Sequence, residues 1–75
     1  MNIDIRKSII NNYKDSNEEE IKNSINESLK DNNELALPGL GVFFEILWKN
    51  SDESSKNEII NKLKVNLNWF LLVVL

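Results

Sequence analysis

The stretch LPGLGVFFEILWKN, residues 37–50, decides the fold of this 75-residue chain. Pro38, Gly39 and Gly41 disturb the helical pattern at its start, so we expect a tight turn followed by a helix from about residue 40 or 41 to residue 49. The two glycines lack the third glycine, the Lys-Ser/Thr pair and the preceding strand of a phosphate-binding loop. They therefore indicate a hinge or a close approach of two backbones.

The helix predicted from this stretch is apolar on nearly every side. Between Val42 and Trp48 only Glu45 is polar. A helix of that kind belongs in the middle of a structure, where other elements cover several of its faces. Glu45 and Lys49 stand at i and i+4 in the favourable order and mark the solvated edge, where such a pair contributes about 0.3 kcal/mol.

Three further helices are predicted around this central one. Ser16, followed by Glu19, indicates the N-terminal cap of the second helix, and Asn50 or Ser51 the cap of the fourth. The sequence therefore predicts an all-α fold, a small single-domain bundle of about four short helices around a hydrophobic central helix. The apolar stripes are Ile5, Ile9 and Tyr13 in the first helix, Ile21, Ile25 and Leu29 in the second, and Ile59, Ile60, Leu63 and Leu67 in the fourth.

The composition argues against an enzyme. The chain has no cysteine and no histidine, which excludes disulfides, Cys/His metal sites and most nucleophilic catalysis. A single small domain also offers little cleft for a pair of catalytic carboxylates. Glu18, Glu19 and Glu20 could suggest a metal site, but consecutive helical residues fan out by about 100° each and cannot converge on one ion. We expect no catalytic residue, no metal and no cofactor.

The charge balance argues against binding to nucleic acid. Nine basic residues against twelve acidic ones give a net charge of −3, and affinity for phosphate backbones depends on positive charge. The local basic pairs are Arg6 with Lys7 and Lys62 with Lys64, and no aromatic residue is interleaved with them. They are typical of solvated helix faces.

The end of the chain differs from the rest. Trp69 to Leu75 is a run of seven apolar residues, too short for the roughly 20 residues that a membrane-spanning helix needs. Three interpretations stay open: a continuation of the fourth helix that packs on the core, an interfacial or partner-binding end, or an aggregation-prone segment. We divide the chain into a helical domain, 1–67, and an apolar tail, 68–75. The N-terminus has no secretory pattern, so an intracellular location is expected.

The chain resembles the small acid-soluble spore proteins of type I, a family of spore-forming Firmicutes. The resemblance runs from about residue 3 to residue 67 and includes the opening RKSII, residues 6–10. It implies a non-catalytic protein of the spore core, made in the forespore during sporulation, with a protective, packing or amino-acid storage role and no active site. The tail departs from the family, whose members end in polar or charged residues. The motif positions that carry the resemblance are Leu37, Pro38, Gly39, Gly41, Phe44, Glu45, Trp48, Lys49 and Asn50.

A second class of function is an interaction module. Its partner is a second copy of the chain or another spore protein, bound through the central helix or the apolar tail, and small size with excess apolar surface motivates it. A further candidate partner is the germination protease, because the sequence Glu34-Leu35-Ala36 resembles the Glu-apolar-Ala sites that it cuts in other spore proteins. A plain connector is the alternative for that tripeptide.

Overall fold

The structure is a computed structural model that describes residues 4–30 and 33–74. Within these two ranges there is no strand, and the all-α prediction is confirmed. A short 3₁₀ turn, Glu34–Ala36, leads into the third helix. The four helices are α1 (Ile5–Tyr13), α2 (Glu18–Lys30), α3 (Leu37–Lys49) and α4 (Glu53–Val74).

Three of the helices begin at an acidic or amide side chain that accepts a backbone hydrogen bond. Asp4, Asn17 and Asp52 cap α1, α2 and α4, each accepting from the N–H three residues further on at 3.1, 2.8 and 2.8 Å. Such a cap satisfies one of the N–H groups that the first helical turn leaves without a partner, and typically contributes about 1 kcal/mol. Local sequence therefore fixes where these helices start.

The predicted caps of α2 and α4 are wrong by one or two positions. Asn17, not Ser16, caps α2, because the acidic run at 18–20 gives both residues a glutamate three positions later. Asp52 caps α4, whereas Asn50 and Ser51 bond back to carbonyl oxygens in the last turn of α3 at 2.8 and 2.6 Å. Those two side chains thus end one helix instead of starting the next.

Helix α3 begins earlier than the sequence predicts. It starts at Leu37, with Pro38 in its first turn, where a missing N–H costs nothing and the fixed φ suits the helix. The expected tight turn is replaced by the 3₁₀ turn before it. Gly39 lies close to α1, because a Cβ at this position would stand 3.3 Å from Cδ1 of Ile9, whereas a Cβ at Gly41 would meet nothing within 4 Å.

The main helix-to-helix contact joins α1 to α3. The rings of Tyr13 and Phe43 meet edge to face with their centroids 5.1 Å apart. Val42, at 7% exposure, is the only buried side chain among the described residues, while Phe44 and Leu47 on other sides of α3 are about half exposed. The hydrophobic central helix is therefore covered on one side, although its composition predicts cover on several.

Helix α4 extends away from the other three. Its 22 residues make it about 33 Å long, and Lys56 in its second turn lies over the ring of Trp48 at 5.4 Å. From Ile60 onward every described side chain is exposed. The Cα radius of gyration of 14.3 Å exceeds the about 11 Å of a compact chain of this length, which fits this open arrangement.

The apolar tail continues α4 as far as Val74. This agrees with the helical part of the first interpretation, but Trp69 and Val73 are exposed and do not show the expected packing on a core. The tail prediction also includes Leu75 and the side chains of residues 70–72 and 74, which lie outside the described part of the chain. The division at residue 67 stays a prediction, and α4 crosses it without a break. No helix in the described ranges has the length and apolar character needed to cross a bilayer.

Candidate functional site

The motif residues of α3 point toward different neighbours. Gly39 faces α1, Glu45 lies at the edge between α1 and solvent, and Trp48 meets the start of α4. The motif residues therefore make separate contacts around one helix and do not converge on a single pocket.

The two oxygens of Glu45 are both engaged. Arg6 of α1 donates from Nε to Oε1 at 2.8 Å and from Nη2 to Oε2 at 3.0 Å, a bidentate contact across 39 residues of sequence. Lys49 donates from Nζ to Oε1 at 3.1 Å. The pair of Glu45 with Lys49 follows from their spacing. The sequence predicts a solvated face for Arg6 and Lys7 and does not indicate the contact of Arg6 with Glu45.

This geometry keeps the carboxyl of Glu45 ionised. Hydrogen bonds from Arg6 and then from Lys49 lower the pKa of Glu45 to about 2, and the same contact raises the pKa of Arg6. A general acid or base near neutral pH needs a pKa close to the working pH and a free oxygen. Glu45 has neither, so its role is to hold α1 and α3 together.

We expect the α1–α3 contact to weaken in acid because of Glu45. The folded-state pKa is depressed, so the stabilisation is present above the unfolded value of about 4.3 and is lost as the pH falls toward 2. Urea unfolding followed by circular dichroism at pH 7, 4 and 2.5 measures this loss. The variant Glu45→Gln should show a smaller loss of stability in acid than the parent chain.

A matched control for the acid effect is Glu58→Gln. Glu58 is exposed and forms no ion pair within the described residues, so its removal should leave the pH dependence of the parent chain unchanged. Asp52 adds a smaller acid dependence of its own, because the backbone hydrogen bond from Ser55 lowers its pKa. If Glu45→Gln and the parent chain lost stability equally between pH 7 and 2.5, the ion-pair assignment would be wrong.

Trp48 joins the end of α3 to the beginning of α4. Its ring stacks on Phe44 with the centroids 5.9 Å apart, and Lys56 of α4 lies over it at 5.4 Å. A cation above an exposed tryptophan contributes about 0.5–1 kcal/mol. Asn50 completes the junction, since its backbone N–H and its side-chain amide both donate to the carbonyl oxygen of Ile46. These motif residues therefore set the direction in which α4 leaves α3.

The beginning of the motif is less constrained. Leu37 is exposed and Pro38 occupies the first turn of α3. Gly41 is exposed and has open space around it, and nothing in the structure explains a glycine at this position. The sequence predicts a hinge or a close backbone approach for both Gly39 and Gly41, but only Gly39 makes a close approach, which favours a residue without a side chain.

An open apolar groove lies between α1, α2 and α3. Its volume is about 530 Å³, and Lys14 is the only charged residue that lines it. A catalytic cleft needs several converging polar groups, and this groove does not supply them. Within residues 4–30 and 33–74, no group of three or more acidic side chains lies close enough together to hold a metal ion. The apolar lining includes Ile9, Ile10, Ile21, Ile25, Phe43 and Leu47.

Comparison with known proteins finds similarity over almost the entire chain. The profile of the family described as small, acid-soluble spore protein I matches residues 3–67. Proteins of that description from Halalkalibacterium halodurans and Bacillus subtilis are 37% and 36% identical over 67 residues, which cover 89% of this chain and 98% and 94% of theirs. The one from Shouchella clausii is 37% identical over 68 residues, 91% of this chain and 99% of its own. No solved structure matches the chain.

Proposed function

Since this chain belongs to the small, acid-soluble spore protein I family, we propose that it is a non-catalytic protein of the spore core, made in the forespore during sporulation. Within the spore it serves protection, packing or storage of amino acids. The family assignment supports a spore protein. The location in the core and the specific role are the proposal.

The proposal that the protein is non-catalytic rests on the hydrogen bonding and the ionisation of Glu45. It is the polar residue at the centre of the motif, and both of its oxygens are occupied by cations. Its pKa of about 2 leaves it ionised at neutral pH, so it does not exchange protons there. The neighbouring groove is mostly apolar and Lys14 is the only charged residue that lines it, so it lacks the several converging polar groups that orient a polar substrate.

The storage role draws support from the turn before α3. Glu34–Ala36 forms a 3₁₀ turn on the surface, and the side chain of Leu35 is 88% exposed. Exposed turns are the usual places of proteolytic cleavage. A germination protease would therefore meet its Glu-apolar-Ala sequence at an accessible place.

Deletion of the gene in a spore-forming host tests the proposed function. A storage role predicts slower outgrowth in a poor medium with unchanged resistance to heat and ultraviolet light, whereas a protective role predicts reduced resistance. The plasmid-borne Glu45→Gln variant should restore the phenotype in either case, since the side chain has no catalytic task. A chain detected in growing cells but absent from purified spores would contradict the proposal, and so would failure of a folded Glu45→Gln chain to restore it.

A second candidate function, an interaction module, is favoured by the small core. Among the described residues only Val42 is buried, while large apolar side chains on α3 and α4 remain about half exposed. Contiguous exposed apolar surface on a small protein marks a place where another molecule binds. Such a function is compatible with the spore core, where the partner is another chain.

A further inference from the structure

We propose that the chain forms a two-fold dimer in which α4 of each copy lies in the groove between α1, α2 and α3 of the other. The inserted face, the α4 stripe, consists of Ile60, Leu63 and Leu67. The proposal rests on the interaction-module function and names its partner, a second copy of this chain. Each chain carries both apolar surfaces that the dimer needs. The groove is the concave surface and the α4 stripe is the convex one.

The concave surface is the groove of about 530 Å³. Ile10 of α1 and Phe44 and Leu47 of α3 line it and are about half exposed. From α2, Ile21 and Ile25 form the opposite side and are only partly covered. The groove is therefore open to solvent along residues that a soluble domain normally buries.

The convex surface is the α4 stripe. Ile60, Leu63 and Leu67 are 47%, 45% and 59% exposed, and their spacing of three and four residues places them on one face of the helix. Helices that bind in apolar grooves present their anchors at this spacing. The stripe thus has the pattern of a helix that fits into a groove.

The stripe does not reach the groove of its own chain. Only residues 50–52 separate α3 from α4, and the contact between Lys56 and Trp48 holds the first turns of α4 at the end of α3. Beyond Ile60 the helix continues without a break to Val74, and its described side chains are exposed. No residue of α4 lines the groove in the structure, so we assign the groove that receives this stripe to another molecule.

Two copies of the chain are enough to occupy both grooves. Each chain supplies one groove and one stripe, so a two-fold axis satisfies both contacts and leaves neither surface open. Phe44, a half-exposed aromatic side chain, presents about 75–125 Å² to water, and the half-exposed Ile and Leu side chains present less. Groove and stripe together expose a dozen large apolar side chains to different degrees. Their summed apolar area is on the order of the 800 Å² per partner found in stable interfaces.

Opposite charges lie beside one end of the two surfaces, whereas Lys14, the one charged residue that lines the groove, has the same sign as the lysines of α4. Lys62 and Lys64 flank the α4 stripe, and Glu18, Glu19 and Glu20 form the first turn of α2, one turn before Ile21 in the groove. None of these five charged residues forms an ion pair within the described part of the chain. Opposite charges at the rim guide two copies into one orientation.

Sedimentation equilibrium of the full chain, over about three decades of concentration, tests the dimer. The parent chain should change from monomer to dimer. The groove variant Leu47→Glu and the stripe variant Leu63→Lys should each weaken association about 100-fold, because either one buries a charge in the apolar contact. Both positions are about half exposed in the single chain, so circular dichroism should show unchanged helicity.

Mixing the two variants provides the decisive measurement. In a mixed dimer the unaltered stripe of Leu47→Glu enters the unaltered groove of Leu63→Lys, and the two new charges attract each other in the second contact. The mixture should therefore dimerise where neither variant does alone. The controls are Val65→Lys, on the opposite side of α4 at 61% exposure, and Leu35→Glu, outside the groove; both should dimerise like the parent chain.

Three results would overturn the proposal. A parent chain that is monomeric at every concentration would remove both the dimer and the self-association form of the interaction module. A dimer that Leu47→Glu leaves intact would show that α4 pairs with α4, so the groove contact would be wrong and the interaction function would stand. Flotation of a solution monomer with phosphatidylcholine or phosphatidylglycerol vesicles would assign the α4 stripe to lipid. None of these results bears on the spore phenotype, which the deletion tests separately.

Discussion

Replacement of Val42 by aspartate is expected to unfold the chain in water. Val42 is the only buried side chain among the described residues, and an unpaired carboxylate at a buried position costs about 4 kcal/mol or more. The entire stability of a domain of this length is about 4–11 kcal/mol. A chain with one buried side chain among its described residues lies near the lower end of that range, so the variant loses most of its stability. Far-UV circular dichroism at 25 °C and a urea titration measure the loss.

The matched control for this substitution is Val65→Asp. Val65 carries the same side chain on α4 and is exposed, so its replacement should change the free energy of unfolding by less than about 0.5 kcal/mol. The milder Val42→Ala should cost about 1.5 kcal/mol through the loss of two buried carbon groups. A folded Val42→Asp chain with the urea midpoint of the parent would show that Val42 does not lie in the core.

The second large effect is expected from Phe43→Ala, at about 2–3 kcal/mol. The ring of Phe43 packs edge to face on Tyr13 at 5.1 Å and lies at the contact of α1 with α3. Its removal breaks the main tertiary contact of the structure. A double-mutant cycle with Tyr13→Ala should give a coupling energy of about 0.5–1.5 kcal/mol.

Phe44→Ala serves as the control, because it removes the same ring from the neighbouring residue. Phe44 is about half exposed and stacks on Trp48 instead of on Tyr13, so the loss should be under about 1.5 kcal/mol. Urea unfolding of the parent chain, Phe43→Ala and Phe44→Ala at neutral pH compares the two losses directly. Equal losses for Phe43→Ala and Phe44→Ala would mean that α1 does not pack on the side of α3 where Phe43 lies.

The helices were predictable because their signals are local. The stripe of Ile5, Ile9 and Tyr13 repeats with the period of the helix, and the acidic run at 18–20 favours an N-terminus. Individual caps were harder, since Asn17 and Ser16 compete for one position with the same downstream glutamates. Only the backbone geometry decides which side chain meets the free N–H.

The contacts between helices were not predictable to the same degree. The pair of Glu45 with Lys49 lies within one turn of a helix, so spacing alone indicates it. The contact of Glu45 with Arg6 depends on how α1 packs against α3 across 39 residues, and no local rule states it. The motif that identifies the family was visible in the sequence, and the profile match over residues 3–67 confirms that resemblance.

The covering of α3 shows the limit of a composition argument. A helix with one polar residue between Val42 and Trp48 was expected to lie among its neighbours, yet the short α1 covers only one side of it. An apolar composition indicates that a helix surface is buried in a contact, but it does not indicate whether the contact is with the same chain or with another molecule. The same holds for the tail, in which the described side chains of Trp69 and Val73 are exposed.

The exposure of α4 beyond Ile60 has a consequence for calorimetry. The heat capacity increment of unfolding grows with the apolar area that becomes newly hydrated, and in a single copy much of that area on α3 and α4 is hydrated already. The increment is therefore small for a chain of 75 residues. A small increment flattens the curve of stability against temperature, so a single copy loses little of its modest stability on cooling and unfolds over a broad range on heating.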